Sequence, residues 1–139
     1  MTSTAERPLP ARTDLTAPFW EAAARGKLVV QCCLDCGQWR HYPRPMCPRC
    51  QSTSVEWCEV SGQGEVYSFT IAHQAFHPFW AERVPYVVAT IELAEGVRMV
   101  SELPNVSPEE IRVGLRVEVG FERVAEDLWL PVFQPVASD

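Results

Sequence analysis

Cys33-Leu34-Asp35-Cys36 and, after a ten-residue gap that opens with Gly37, Cys47-Pro48-Arg49-Cys50 give this 139-residue chain two C-x-x-C pairs. A two-residue spacer lets both thiolates of a pair, with backbone N–H groups behind them, face one cation. Gly37 and Pro48 are residue types that suit such tight turns. Four thiolates close a tetrahedral site and leave no open position for a catalytic water, which favours structural zinc over iron. The expected cofactor is therefore one Zn2+ per chain on Cys33, Cys36, Cys47 and Cys50. Cys33 is preferred to Cys32 because it alone gives the two-residue spacing to Cys36; Cys32 and Cys58 are read as small buried hydrophobes. The metal would hold together a hairpin too small to have a core of its own.

Upstream, Thr16 and Pro18 precede the helical run Phe19-Trp20-Glu21-Ala22-Ala23-Ala24, which Gly26 closes, with Thr16 as the expected N-cap. Residues 1–15 hold two prolines and no apolar period, so a mobile arm is expected there. Residues 16–60 then read as a helix plus a zinc ribbon.

Downstream the texture changes. Five strands are expected, at Val66–Ala72, Tyr86–Leu93, Val97–Leu103, Arg116–Arg123 and Leu128–Phe133, with hairpin turns at Ala94-Glu95-Gly96 and Ala125-Glu126-Asp127. Ser107-Pro108-Glu109-Glu110 has the form of a helix start with a capping box, and Gly114 would end that helix. Five strands with a helical element between the third and fourth is the order of the OB-fold barrel, assigned to residues 61–139. The expected fold is thus mainly β: an N-terminal helix and zinc ribbon followed by a five-stranded OB-fold barrel.

Composition narrows the functional classes. With 47% hydrophobic and 22% charged residues the chain is an ordinary folded protein. No apolar run approaches the roughly 20 residues of a membrane span, and the start lacks a basic, apolar leader, so a cytoplasmic protein is expected. Residues 1–60 carry a charge of +1 and residues 61–139 carry −7. A barrel this acidic repels a phosphate backbone, which speaks against nucleic acid as a partner. No Walker loop, G-x-S-x-G elbow, H-E-x-x-H or dinucleotide fingerprint occurs, and no catalytic residue is assigned.

Taken in order, Phe19-Trp20-Glu21, Leu28-Val29-Val30-Gln31, the four-cysteine ribbon, Ser61-Gly62-Gln63-Gly64-Glu65-Val66-Tyr67, Pro85-Tyr86-Val87-Val88, Glu95-Gly96-Val97-Arg98, Gly114-Leu115-Arg116-Val117 and Leu130-Pro131-Val132-Phe133 resemble one family over residues 18–136. The chain looks like the zinc-ribbon plus OB-fold proteins called domain of unknown function 35, and the resemblance implies a rubredoxin-like zinc ribbon. It departs from them at Gln51, where many members carry Gly after the last cysteine. The resemblance implies a non-catalytic accessory subunit that docks on a thiolase-superfamily enzyme and helps to form its acyl-CoA or acyl site. Partners of that kind include thiolases, lipid-transfer-type steroid aldolases and polyketide acyltransferases, so a hetero-oligomer of lipid or steroid metabolism is expected. The alternatives are a nucleic-acid-binding zinc-ribbon and OB protein and a rubredoxin-like electron carrier.

Two further surfaces stand out. The connection from Ala72 to Pro85 carries Phe76, Phe79 and Trp80, and with Tyr86 these are the candidate partner or acyl-binding residues. The competing reading is that they fold back to cap the barrel. Arg25, Lys27, Arg40, Arg44 and Arg49 against Asp35 give a local charge of +4, a candidate patch for CoA phosphates or an acidic partner face. His73 and His77 lack a nearby carboxylate or thiol and are read as hydrogen-bonding or stacking groups; His41 is expected to be exposed.

Overall fold

In the computed structural model, which describes residues 6–136, two antiparallel sheets share one core. Residues 1–5 and 137–139, the start of the expected arm and the last residues of the expected barrel, lie outside the described residues.

Helix α1 (Ala17–Ala24) buries Phe19, Ala22 and Ala23. Its N-cap differs from expectation. The Thr16 side chain makes no capping bond; its Oγ1 accepts from the Trp20 indole N–H at 3.2 Å and engages Thr13. A small sheet follows, with β1 (Val29–Cys33) central between β2 (Trp39–Arg40) and β3 (Val55–Glu59).

The second sheet has the order β6-β5-β4-β7-β8, from β4 (Gln63–Ala72), β5 (Tyr86–Leu93), β6 (Arg98–Glu102), β7 (Arg116–Ala125) and β8 (Leu128–Pro135). All five strands stand where the alternation placed them. β4 can serve two neighbours because it is long and bulged: residues 64–72 pair with β5, residues 63–65 also pair with β7, and the register shifts between Val66 and Ser68. β8 comes back against β6, so the sheet curls into a barrel shape, with no hydrogen-bonded β6–β8 ladder among the described residues. Gly64 sits where β4 crosses β5 so closely that a Cβ would lie 2.5 Å from the Glu92 carbonyl oxygen. Strand β5 alternates cleanly, sending Val87, Ala89, Ile91 and Leu93 inward.

The expected helix after β6 does not form. Ser107 to Glu110 makes a single turn, in which the Glu110 N–H bonds the Ser107 carbonyl and the Ser107 hydroxyl donates to the Glu110 carboxylate. The Glu110 carboxylate does accept the Ser107 backbone N–H at 3.4 Å, one half of a capping box, but the Ser107 hydroxyl does not accept the Glu110 N–H, and burial of Val106 and Ile111 anchors the segment. Phe19, Leu28 and Val30 from the helix and ribbon join the barrel residues in one continuous hydrophobic cluster, with Val60 at the junction. The Tyr42 hydroxyl accepts the β6 backbone N–H of Val100 at 3.1 Å and covers part of that strand's edge. No helix among the described residues is long and apolar enough to cross a membrane.

Candidate metal centre and aromatic cleft

The two C-x-x-C pairs fold into near-identical knuckles. In the first, the Cys33 carbonyl accepts the Gly37 N–H and the Cys33 N–H donates to the Gln38 carbonyl, both at 2.9 Å. In the second, the Cys47 carbonyl accepts the Gln51 N–H at 2.9 Å and the Cys47 N–H donates to Ser52 at 2.8 Å. The turn needs a left-handed residue at the same place in each. Gly37 supplies it at φ 76°, and Gln51 adopts it at φ 66° despite its Cβ. The departure from glycine at position 51 therefore leaves the knuckle's turn intact.

Cys33 Sγ lies 3.5 Å from Cys50 Sγ, and Cys36 Sγ lies 3.6 Å from Cys47 Sγ. All four sulfurs fall within 4.8 Å of one another. A tetrahedron with zinc–sulfur bonds of about 2.3 Å has edges of about 3.8 Å, so this donor set fits the ion in both number and spacing. Backbone N–H groups aimed at the sulfurs, from Cys36 toward Cys33 and from Cys50 toward Cys47, pull both thiols below their ordinary range. Cys47 and Cys33 are buried, Cys36 is half-buried and Cys50 is exposed.

Cys32 belongs elsewhere. Consecutive residues of a strand face opposite ways, so Cys33 turns to the four-sulfur site while Cys32 looks out of the other face. There Cys32, Glu56 and Cys58 bring their ligand atoms within 4.8 Å of one another. As residues both are half-buried, so their reading as small buried hydrophobes holds only in part. Burial and the Glu56 carboxylate push the Cys58 thiol up to about 11.

Of the basic residues singled out, Arg40 is turned inward and only 7% exposed. Its Nε donates to Gln31 Oε1 at 2.7 Å and its Nη2 to the Arg44 carbonyl at 2.9 Å, so it braces the ribbon. Lys27 is ion-paired with Glu59 at 3.6 Å. Arg25, Arg44 and Arg49 are exposed. His41 is half-buried, against expectation: it stacks on Phe19 and Tyr42, and burial lowers its pKa to about 4.

The aromatic connection divides. Phe76 is 90% exposed, whereas Phe79 and Trp80 form a T-shaped pair on the 3-10 turn Pro78–Trp80, which His77 Nδ1 caps by accepting the Phe79 N–H. Trp80 packs on Tyr86 with ring centroids 4.8 Å apart. Trp80 and Tyr86 then line an apolar cleft of about 650 Å³ with Trp20, Tyr42 and Leu130, a size and lining suited to a small apolar ligand. The cleft brings helix, ribbon and barrel to one place.

Sequence reasoning missed Arg7. It lies in the segment read as a mobile arm, yet its guanidinium sits 5.3 Å from both the Phe79 and Trp80 rings and pairs with Glu122 at 3.4 Å and Glu102 at 3.9 Å. Burial pushes the Glu102 carboxyl up, against the pull of Arg7. An isolated Arg just ahead of two prolines carries no periodic signal that could have flagged it.

Known proteins bear on this geometry. The family model for the rubredoxin-like zinc ribbon domain of ChsH2 matches residues 20–56, and that for its C-terminal OB-fold domain matches residues 57–122. A DUF35 domain-containing scaffold protein of Methanothermobacter thermautotrophicus is 34% identical over 83% of this chain and 86% of its own. A probable enoyl-CoA hydratase alpha subunit of Thermomonospora curvata is 42% identical over 93% of this chain, which spans only 40% of that relative. In the 3-oxo-4,17-pregnadiene-20-carboxyl-CoA hydratase alpha subunit of Mycobacterium tuberculosis, 34% identical, the span is 35%. Among solved structures, a chain of the Ltp2-ChsH2(DUF35) aldolase superimposes with a TM-score of 0.81 at 41% identity, covering 91% of this chain and 98% of that one. A DUF35 protein of unknown function from Sulfolobus solfataricus shares the fold at a TM-score of 0.62 and 16% identity. From its ribbon through its barrel, this chain belongs to the DUF35 family of ChsH2-type zinc-ribbon and OB-fold proteins.

Proposed function

We propose that this protein is an accessory subunit of an acyl-CoA enzyme complex in the cytoplasm, docking on a thiolase-superfamily partner that makes or breaks a carbon–carbon bond. The observation that carries the reading is the match to the Ltp2-ChsH2(DUF35) aldolase, where the likeness covers 98% of the matched chain. In this account the reacting groups are the partner's, and this chain binds and positions. One structural zinc on Cys33, Cys36, Cys47 and Cys50 keeps the ribbon folded. The cleft beneath Trp80 and Tyr86 offers an apolar wall to the acyl group, Phe79 against Trp80 and the exposed Phe76 serve as docking residues, and exposed Arg25, Arg44 and Arg49 meet anionic groups of CoA or of the partner.

The hydratase relatives favour a second partner class. They carry this module within much longer chains, so a hydratase subunit is the other candidate neighbour. A nucleic-acid role is disfavoured by the charge of −7 on residues 61–139. The test is co-expression with a lipid-transfer-type thiolase and with a hydratase from the same cell, followed by size-exclusion chromatography. A stable complex with the thiolase supports the reading. A complex with the hydratase alone replaces the partner, and binding to neither removes the accessory assignment.

A further inference from the structure

We propose that Cys32, Glu56 and Cys58 form a second cation site, open on one side, that takes a thiophilic divalent ion such as Zn2+. The site stands apart from the four-cysteine centre and does not depend on the accessory function proposed above.

Its geometry comes from the sheet. In the β1–β3 ladder Glu56 lies directly opposite Cys32, and Cys58 lies opposite Val30, two residues along. Glu56 and Cys58 share a face because side chains alternate along a strand, and the register turns Cys32 to that same face. Strand β1 thus delivers Cys33 to one ion site and Cys32 to another, back to back. All three ligand atoms come within 4.8 Å of one another, and Cys58 Sγ is 3.6 Å from Glu56 Oε1.

The chemistry of the set is specific. Two thiols and one carboxylate are a donor set for zinc-like ions, with bonds of about 2.3 Å to sulfur and about 2.0–2.2 Å to oxygen. Three protein ligands leave a fourth position, and Glu56 is exposed, so that position faces solvent and can take water or an added ligand. Two observations set these residues apart from packing cysteines. Cys58 is only half-buried and its Sγ is turned to the Glu56 carboxylate, although free cysteines are among the most buried residues. Glu56 also makes no ion pair with Lys or Arg among the described residues.

The experiment uses the full chain, purified with its first zinc and titrated with ZnCl2 under native mass spectrometry. Wild type is expected to bind two zinc ions per chain and Cys58→Ser only one. Glu56→Gln should retain both thiols but lose affinity for the second ion by about tenfold or more, the loss that even outer-shell partners cause. Alkylation mapping gives an independent reading: added zinc should slow iodoacetamide modification of Cys58 in wild type. Saturation at one zinc in wild type overturns the proposal. So does a second zinc that persists unweakened in Cys58→Ser, or a Cys32–Cys58 disulfide that survives in reductant.

Discussion

Replacing Trp80 by Ala separates a surface anchor from a core residue. The ring is half-buried and gives up two aromatic contacts, with Phe79 at 5.1 Å and Tyr86 at 4.8 Å, and the Arg7 and Arg83 guanidiniums at 5.3 and 5.8 Å. Aromatic pairs contribute about 0.5–1.5 kcal/mol each and exposed cation–π contacts about 0.5–1 kcal/mol. Partial exposure and regrouping of Phe79 against Arg7 and Arg83 reduce the sum, so the expected stability loss is about 1–2 kcal/mol, or roughly 3–7 °C in Tm. Phe133, fully buried in the barrel, is the control; its truncation should cost about 3–5 kcal/mol. Partner binding should order the two variants the other way. A true interface anchor loses about 2 kcal/mol or more when cut to Ala, close to a thirtyfold rise in Kd. Thermal unfolding and affinity for the co-expressed partner, measured side by side, supply both numbers. If Trp80→Ala unfolds as readily as Phe133→Ala while its folded fraction binds the partner normally, the aromatic connection is barrel cap and the docking argument fails.

Other outcomes follow from the ribbon. In protein purified with its first zinc only, before any added ZnCl2, metal analysis should show that Cys33→Ser loses that zinc while Cys32→Ser keeps it, with new protease cuts in Cys33→Ser concentrated between residues 27 and 60; loss of the first zinc in both would contradict the strand register. His41 has its pKa lowered by burial from 6.5 to about 4, so the unfolded chain takes up its proton first as pH falls. Its contribution to stability is complete above 6.5 and lost on the way down to about 4, at most about 3 kcal/mol by linkage. The stability difference between wild type and His41→Phe should therefore shift toward the variant across that window; zinc release is common to both and cancels, and a difference constant with pH would refute the assignment. Gln51→Gly should raise stability by about 0.5–1 kcal/mol, because relief of left-handed strain outweighs the added freedom of the unfolded chain; a clear fall in Tm would show that the Gln51 side chain holds the knuckle.

The legible parts of this protein are those written in short-range spacing. The two C-x-x-C pairs dictate one four-sulfur site, and alternation in stretches such as Val87, Ala89 and Ile91 dictates strands. The helix expected after β6 failed because its capping residues satisfy one another in a single turn, and burial of Val106 and Ile111 determines the backbone there. Arg40 looked like a surface charge among other basic residues, and only the position of Gln31 on the neighbouring strand turns it inward. Arg7 and the cleft were invisible for a related reason: they depend on segments from 7 to 132 converging, a relation that no local pattern encodes. The Cys32 and Cys58 pair needed the β1–β3 register before the two thiols could be placed together.

Carbon–carbon bond cleavage or formation on an acyl-CoA, followed with this chain alone, with the thiolase-superfamily partner alone and with the two mixed, tests the accessory assignment most directly. No turnover is expected from this chain alone, and full activity only from the mixture. Robust turnover by rigorously partner-free protein, or a partner whose activity is unchanged by adding this chain, would contradict the assignment.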